Sequence, residues 1–424
     1  MTPLPAVSAA SCSHFPFEIY DHIFSILPEH SDTLHACTLV CKNLSQHAQR
    51  HLYTHLVCTS YSTTTYTPDS SLTSNPYNDI CDFLILNPRL ASYVRKLTVR
   101  GVKKPGWPFE LEYTVLDMCL LARLLLSFPV LKEIDMDTVH WRRCGREHRH
   151  LWSVSSPRSL IPELRTLRLS DIDVNTIEEH PAFLPFHAPQ LRELSFLHVL
   201  EWPINPDPYF GQLRNISSLQ SLSLSVCMQL VPLVPEFICG ESLVDLQVQH
   251  LRAVHTSHFL RIVDTASHTL QRLYIGLLVS DNTIAEYEQL SFAHCNALKQ
   301  LKISVEGWDP CTQALHATHI ILSILSTLPV TIEVVAIYTA SNWDISSEAH
   351  DRCTVLSWED IDLVLSRLPN LHQLIVGTFD KGSPRTHNAG IWQDQDTQTI
   401  SSRLKRPVYF ERYSPATFPI PFSR

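Results

Sequence analysis

With 23 histidines and 12 cysteines, the chemistry to test first against residue spacing is metal coordination. His47, His51 and His55 stand at i, i+4 and i+8, which on a helix can aim two imidazoles at one ion. Ala48 and Leu52 interleave with them, so an exposed polar stripe opposite those two residues is expected in place of a zinc site. His140, Cys144, His148 and His150 form a second cluster, with Arg142, Arg143, Arg146 and Arg149 between them. Their charge disfavours a cation, and a solvated basic loop able to touch an acidic partner is expected. Asp135-x-Asp137 and Asp171-x-Asp173 have the spacing of nucleotide-sugar metal motifs, but each follows an apolar strand pattern, where turn aspartates are ordinary. No G-x-S-x-G elbow, H-E-x-x-H helix or kinase signature occurs. Glycine-loop nucleotide binding is also excluded: the G-x-x-x-x-G at Gly101 and Gly106 runs into Trp107-Pro108, and no G-x-G-x-x-G exists. No metal, no cofactor and no catalytic residue are expected, and the chain reads as a non-enzyme.

The elements that could position any functional group are bounded by composition. The chain has 424 residues, 44% hydrophobic and 18% charged, ample for a few globular units or one long repeat array. A formal charge of -9 leaves no basic stripe for releasing counterions from a phosphate backbone, so nucleic acid is not an expected partner. Residues 1–14 hold no Lys or Arg and too short an apolar run for a signal peptide, so no export is expected. The longest apolar stretches, 116–131 and 320–338, are interrupted by Asp117 and Arg123 and by Pro329 and Glu333, and neither reads as a membrane span. Without a secretory signal or a C-x-x-C pair, the cysteines read as free thiols of a reducing compartment, cytoplasm or nucleus.

One short pattern, apolar-x-x-apolar-x-apolar, recurs along most of the chain. Its copies are Val94-Leu97-Val99, Leu131-Ile134-Met136, Leu164-Leu167-Leu169, Leu191-Leu194-Phe196, Leu219-Leu222-Leu224, Leu243-Leu246-Val248, Leu270-Leu273-Ile275, Leu298-Leu301-Ile303, Ile332-Val335-Ile337 and Leu371-Leu374-Val376. Their first positions lie from 24 residues apart (Leu219 to Leu243) to 39 (Ile332 to Leu371). The last two apolar positions alternate as in a half-buried strand, and the residues between copies can return on the opposite side. Asp309-Pro310 starts a predicted helix over 314–328, Ser357-Trp358-Glu359-Asp360 is a capping-box start for 361–368, and 111–128 and 258–266 also carry helical patterns. Strand, return, strand in one direction builds a parallel sheet that coils right-handedly, so the expected class is α/β and the expected architecture a solenoid.

The head of the chain differs. Residues 15–56 hold three short helical patterns: one over 17–27 with Ile19, Ile23 and Ile26 or Leu27 on one face, one from Ser31 with Leu34, Cys37, Val40 or Cys41 and Leu44, and one with Ala48, Leu52 and Leu56. Some 40 residues rarely enclose an independent core, so these stripes must pack against a neighbouring domain, another protein, or both. Residues 59–78, rich in Ser, Thr, Tyr and Pro with Asp69 the single charge, bury too little to order themselves. They read as a flexible insertion, with a phosphorylated tract as the functional alternative.

The strand pattern resembles that of leucine-rich repeats, L-x-x-L-x-L followed by x-x-Asn/Cys. At the Asn/Cys position Cys227 conforms, whereas the other copies place Val102, Val139, Ile172, Val199, Leu251, Leu278, Glu306, Ala340 and Phe379 there. A polar ladder is thus mostly missing, and an irregular array is expected. In the head, Phe15-Pro16-Phe17-Glu18-Ile19, Ile23, Ile26-Leu27, Leu34, Cys37 and Leu39-Val40-Cys41-Lys42-Asn43-Leu44 resemble an F-box, whose usual form begins Leu-Pro-x-Glu-Ile and later reads Val-Cys-Lys-x-Trp. Phe15 stands for the leucine and Leu44 for the tryptophan. Residues 83–95 also resemble the junction in fungal families that join an F-box to degenerate leucine-rich repeats. The organisation implied is a disordered N-terminus over 1–13, an F-box over 14–57, a Ser/Thr-rich linker or insertion over 58–79, and a solenoid with a C-terminal cap over 80–424.

That resemblance implies a non-catalytic substrate-recognition subunit of a Skp–cullin–F-box ubiquitin ligase. The helices would dock on the Skp adaptor and through it on cullin, while the repeats hold an unknown protein substrate near the charged conjugating enzyme. Carried over position by position, the adaptor-facing or core residues are Phe15, Pro16, Ile19, Ile23, Leu27, Val40, Cys41 and Leu44. The same residues could instead seal the helices to the solenoid. Strand alternation places Arg100, Glu133, Asp135, Arg168, Ser195, Ser223, Gln247, Tyr274 and Lys302 on the concave face, where a substrate would bind. The alternative function is a repeat-based interaction scaffold whose degenerate F-box is not ligase-associated.

Overall fold

The computed structural model describes residues 17–25, 31–40, 42–59, 76–103, 111–112, 114–142, 161–174, 188–197, 216–225, 231, 234–279, 284–307, 310–340, 356–379 and 408–413. Three helices open the described chain: α1 (Phe17–Ser25), α2 (Ser31–Val40) and α3 (Lys42–Leu52). Both α1 and α2 pack on α3, enclosing Phe24, Leu34 and Ala48, with Tyr20, Cys37, Leu44 and Leu52 half-buried around them. The inward face of α1 is therefore the Tyr20–Phe24 stripe, and the expected Ile19–Ile23 stripe points outward. The rings win the interior because they also meet α3: Tyr20 stacks on His47 at 5.7 Å between centroids and Phe24 leans on His51 at 6.0 Å. Those histidines thus face the helix core and do not form the expected exposed stripe.

The third helix stops at Leu52, so His55 and Leu56 belong to a strand, β1 (His55–Thr59), and Leu56 packs on the main core. After β1 come α4 (Pro76–Leu86), the single turn α5 (Pro88–Ala91), β2 (Lys96–Arg100), β3 (Val102–Lys103), β4 (Leu111–Glu112), β5 (Thr114–Asp117), α6 (Met118–Ser127), β6 (Glu133–Arg142), β7 (Thr166–Val174), β8 (Glu193–Leu197) and β9 (Ser221–Ser225). They are followed by α7 (Val234–Phe237), β10 (Asp245–Leu251), α8 (Thr256–Thr265), β11 (Arg272–Val279), α9 (Ile284–Tyr287), β12 (Gln300–Gly307), α10 (Pro310–Ser326), β13 (Val334–Ala340), α11 (Trp358–Leu365), β14 (Gln373–Phe379) and β15 (Val408–Tyr413). The class is α/β.

The strands from β1 through β2 and β6 to β15 form one open parallel sheet whose spatial order follows the chain, with β5 paired beside β6; β3 and β4 make a separate antiparallel pair. This repeat-like order is compatible with a solenoid. The sheet begins ahead of the Ser/Thr-rich stretch, whose residues 60–75 lie outside the described residues, and α4 already occupies residues 76–79 of the expected linker. No helix among the described residues is long and apolar enough to cross a membrane.

Every copy of the repeated pattern forms a strand of this sheet, and its apolar positions are buried in one continuous core except Leu371, which is half-buried against it. Helices α8, α10 and α11 lie close to their predicted ranges. At α11 the expected capping box does not form: the Ser357 hydroxyl donates to Asp360 Oδ2 at 2.5 Å and makes no bond to the helix backbone. An aspartate is one methylene short of the glutamate that reaches back in that motif. The predicted helix over 111–128 is halved, since Thr114–Asp117 instead pairs with the outer end of β6. Thr114 and Val115 are β-branched and favour that strand.

Two backbone devices repeat along the sheet. The residue before β1, before β2 and before each strand from β6 to β13 lends its carbonyl to two N–H groups of the next unit: Thr54 accepts from Arg95 and Lys96, Arg95 from Lys132 and Glu133, and so on to Glu333, which accepts from His372 and Gln373, at 2.8–3.3 Å. A hydroxyl ladder runs beside it. Ser218 donates to the Leu191 carbonyl at 2.8 Å, Ser242 to Leu219 at 2.8 Å, Thr269 to Leu243 at 2.8 Å, and Thr331 to Leu298 at 2.8 Å. Each donor directly precedes the first apolar residue of its own copy. A polar ladder therefore exists, at a position other than the Asn/Cys site.

At that site Val139, Ile172 and Leu251 are buried. The residue before each, Thr138, Asp171 and His250, has φ of 59°, 48° and 56°. This left-handed step slips the alternation by one residue and turns the following side chain inward, at a cost of about 1–2 kcal/mol per non-glycine residue. Close packing elsewhere relies on glycine: a Cβ on Gly240 would lie 1.8 Å from the Thr265 carbonyl oxygen.

Thr269 also reaches the Gly240 carbonyl at 2.6 Å. Replacing it by valine keeps the shape and removes the donor, so Thr269→Val is expected to lower the unfolding free energy by about 1–2 kcal/mol. Gly240→Ala, which must shift backbone, is expected to cost about 1–3 kcal/mol. Urea unfolding of the two variants checks both values, and wild-type midpoints would contradict the ladder and the contact.

Candidate functional site

The head presents an apolar surface beside its own small core. Ile19 and Ile23, one helical turn apart on α1, are 44% and 47% exposed, and Leu39 and Val40 at the end of α2 are 86% and 68% exposed. Of the residues expected to face an adaptor, Ile19, Ile23 and Val40 are thus on the surface, whereas Leu44 is half-buried in the helix core. Phe15, Pro16, Leu27 and Cys41 lie outside the described residues. Leu39, the most exposed of the set, lies in the motif that carries the resemblance but is not among the residues expected to face an adaptor. Its signal is its place off the Leu34–Cys37 stripe, at the end of an apolar-rich helix.

The second candidate surface is the sheet face opposite the main core. Strand register brings the expected substrate-binding residues together. Asp135, Arg168, Ser195, Ser223, Gln247, Tyr274 and Lys302 occupy one continuous row across β6 to β12, each opposite the next. Thr98 and Val57 extend the row toward β1. Glu133 and Arg100 fall in the rows on either side.

The flanking rows carry cross-strand pairs. Lys96 and Glu133 lie 3.5 Å apart. Glu193 accepts from Thr166 at 3.3 Å and from Arg168 at 3.4 Å. Arg272 grips Asp245 through two parallel hydrogen bonds, a fork geometry that keeps the guanidinium charged and raises its pKa. In the next row Ser225 donates to Gln249 at 2.9 Å, and Tyr274 of the central row shares a hydrogen bond of 3.1 Å with Ser304.

This face is less open than strand alternation suggests. Ser195, Ser223 and Gln247 are each only 5% exposed, and their Oγ, Oγ and Oε1 atoms have no hydrogen-bond partner among the described residues. Each such atom costs about 1–3 kcal/mol when left unmade. Asp135, Arg168 and Lys302 in the row and Glu133 beside it are half-exposed, and Arg100 is exposed, so the face is closed over Ser195 to Gln247 and carries charged side chains on the strands to either side.

Among the described residues no three His, Cys, Asp or Glu side chains converge as a metal site would require. The basic cluster at Cys144, His148 and His150 lies outside the described residues. Burial pushes the Cys58 and Cys295 thiols up to about 12, helped by Cys81 and by Asp264 respectively. Neither is the reactive thiolate that nucleophilic chemistry needs. No protein-family model matches the chain, and no curated protein matches it.

His55 stands at the start of β1 with Nε2 2.8 Å from Thr98 Oγ1. Burial, then Lys96 and Arg100, hold its imidazole below the ordinary value, against weaker pulls from Asp135 and Glu133. His255 is lowered by burial, then by His258 and Arg252. With folded values depressed, the unfolded chain takes up protons first, so the contribution of both groups is full above about pH 6.5 and is lost as pH falls below it. The urea midpoint is expected to drop between about pH 7.5 and about pH 5.5, and the drop to shrink in His55→Gln. An unchanged pH dependence in that variant would contradict the assignment.

Proposed function

We propose that this protein is a non-catalytic substrate-recognition subunit of a Skp–cullin–F-box ubiquitin ligase, whose helical head docks the Skp adaptor and whose repeats hold a protein substrate. The observation that carries the reading is the exposure of Ile19, Ile23, Leu39 and Val40 on α1 and α2, within the stretch whose residues resemble an F-box. Fully burying such a side chain gains about 1.5–3 kcal/mol, and a head that leaves four of them in water has the composition of a docking surface. The strand pattern's likeness to leucine-rich repeats supports the second half: a registered face of polar side chains is suited to gripping a partner while the ligase supplies the chemistry by proximity.

Mixing the purified chain with a Skp-type adaptor at micromolar concentration should give a complex on gel filtration. Ile19→Asp and Val40→Asp should each abolish it, because both positions are on the surface and neither belongs to the helix core, so circular dichroism and unfolding midpoint should stay as in wild type. Failure of the wild-type chain to bind would favour the scaffold reading over the ligase.

A further inference from the structure

On the sheet face, Ser195, Ser223 and Gln247 are consecutive members of one registered row on β8, β9 and β10. They are more than nine-tenths buried, and each has a polar atom with no hydrogen-bond partner among the described residues. Their neighbours are different: Glu193 with Thr166 and Arg168, Asp245 with Arg272, Ser225 with Gln249, and Tyr274 with Ser304 all bond to one another. Unmet hydrogen-bonding capacity on this face thus gathers in a short strip of adjacent strands.

The chemistry of the strip selects its occupant. Two hydroxyls can donate, while the Gln247 carboxamide oxygen only accepts. An anion offers no donor to that oxygen, and a cation offers no acceptor to the hydroxyl protons. The charges beside the strip cancel, Arg168 against Glu193 and Arg272 against Asp245, so no net field favours a charged ligand. Three adjacent strands span two spacings, about 9.5 Å, which about three residues of extended chain cover at about 3.3 Å each. Main-chain amides supply both C=O and N–H groups along such a length.

We infer that the Ser195–Ser223–Gln247 strip binds the backbone of an uncharged, extended segment of the substrate protein. This rests on the reading of the sheet as a substrate-gripping surface. Arg168, Glu193 and Arg272 flank the strip as long, part-exposed side chains, able to swing outward as the segment enters without disturbing the strands beneath.

The test uses the full chain without adaptor and three sets of fluorescein-labelled peptides of equal length: uncharged Ser/Thr/Asn/Gly sequences, acidic ones and basic ones. Fluorescence anisotropy should show binding by uncharged peptides, with charged sets weaker by about ten-fold or more. The double variant Ser195→Ala with Ser223→Ala should weaken uncharged binding by about ten-fold, the loss of two ordinary hydrogen bonds. Its unfolding midpoint should be unchanged or higher, since alanine removes the orphaned hydroxyls; this separates lost binding from lost structure. Equal binding by the variant and wild type, equal binding of charged peptides, absence of binding by every uncharged peptide, or preference for uncharged oligosaccharides would each overturn the inference. Adaptor binding is measured separately, so loss of the ligase reading through its head and loss of this strip are distinguishable.

Discussion

The structure depends on one backbone arrangement, the carbonyl before each strand that accepts two N–H groups from the next unit. It fixes where β2 and each strand from β6 to β14 start relative to the last, and the registers follow: Lys96 opposite Glu133, Glu133 opposite Thr166, and so to Val334 opposite Gln373. Because side chains alternate with a period of two, a fixed start also fixes which residues enter the core and which reach the other face. The buried leucines and the polar row are two results of the same pairing. The hydroxyls of Ser218, Ser242, Thr269 and Thr331 reinforce it where one unit turns into the next, while Ala297, at the corresponding place before Leu298, offers no such donor.

The head obeys a different constraint. Among the described residues its core holds Phe24, Leu34 and Ala48 at full burial, whereas the sheet's core is continuous from Cys58 to Val376. So small an interior can enclose one stripe of each helix, and α1 has two, Tyr20–Phe24 and Ile19–Ile23. Aromatic contact with His47 and His51 decides which is enclosed. The isoleucines are left outside by that competition, and their exposure is the residue-level basis for the proposal that the head docks a partner.

Much of the sheet was legible in the sequence, because alternating apolar positions and repeated leucines report directly on burial. The row containing Asp135, Ser223 and Lys302 followed from counting alone. Its closure over Ser195 to Gln247 did not, since exposure depends on neighbours across strands that spacing cannot see. The head was legible as helices but not as to face, because two apolar stripes on one short helix are equivalent until a partner helix is placed. Residues 111–128 looked uniformly helical by composition, yet Thr114 and Val115 had a strand edge on β6 to join. The hydroxyl ladder is written as Ser or Thr before the first leucine of several copies, a signal hidden by its distance from the Asn/Cys position where such a ladder is expected. The left-handed steps at Thr138, Asp171 and His250 had no residue signature, as none is a glycine.

Because the paired carbonyls tie only the beginnings of strands, the segments returning between them are free to differ in length, which is why copies 24 and 39 residues apart coexist in one sheet. Heredity can therefore lengthen or shorten a return while leaving the array intact. Loss of one residue between Leu243 and Val248 would be another matter: it would exchange inside for outside along that strand and set a polar chain against leucine on both sides. The architecture is tolerant at its margins and digital at its centre.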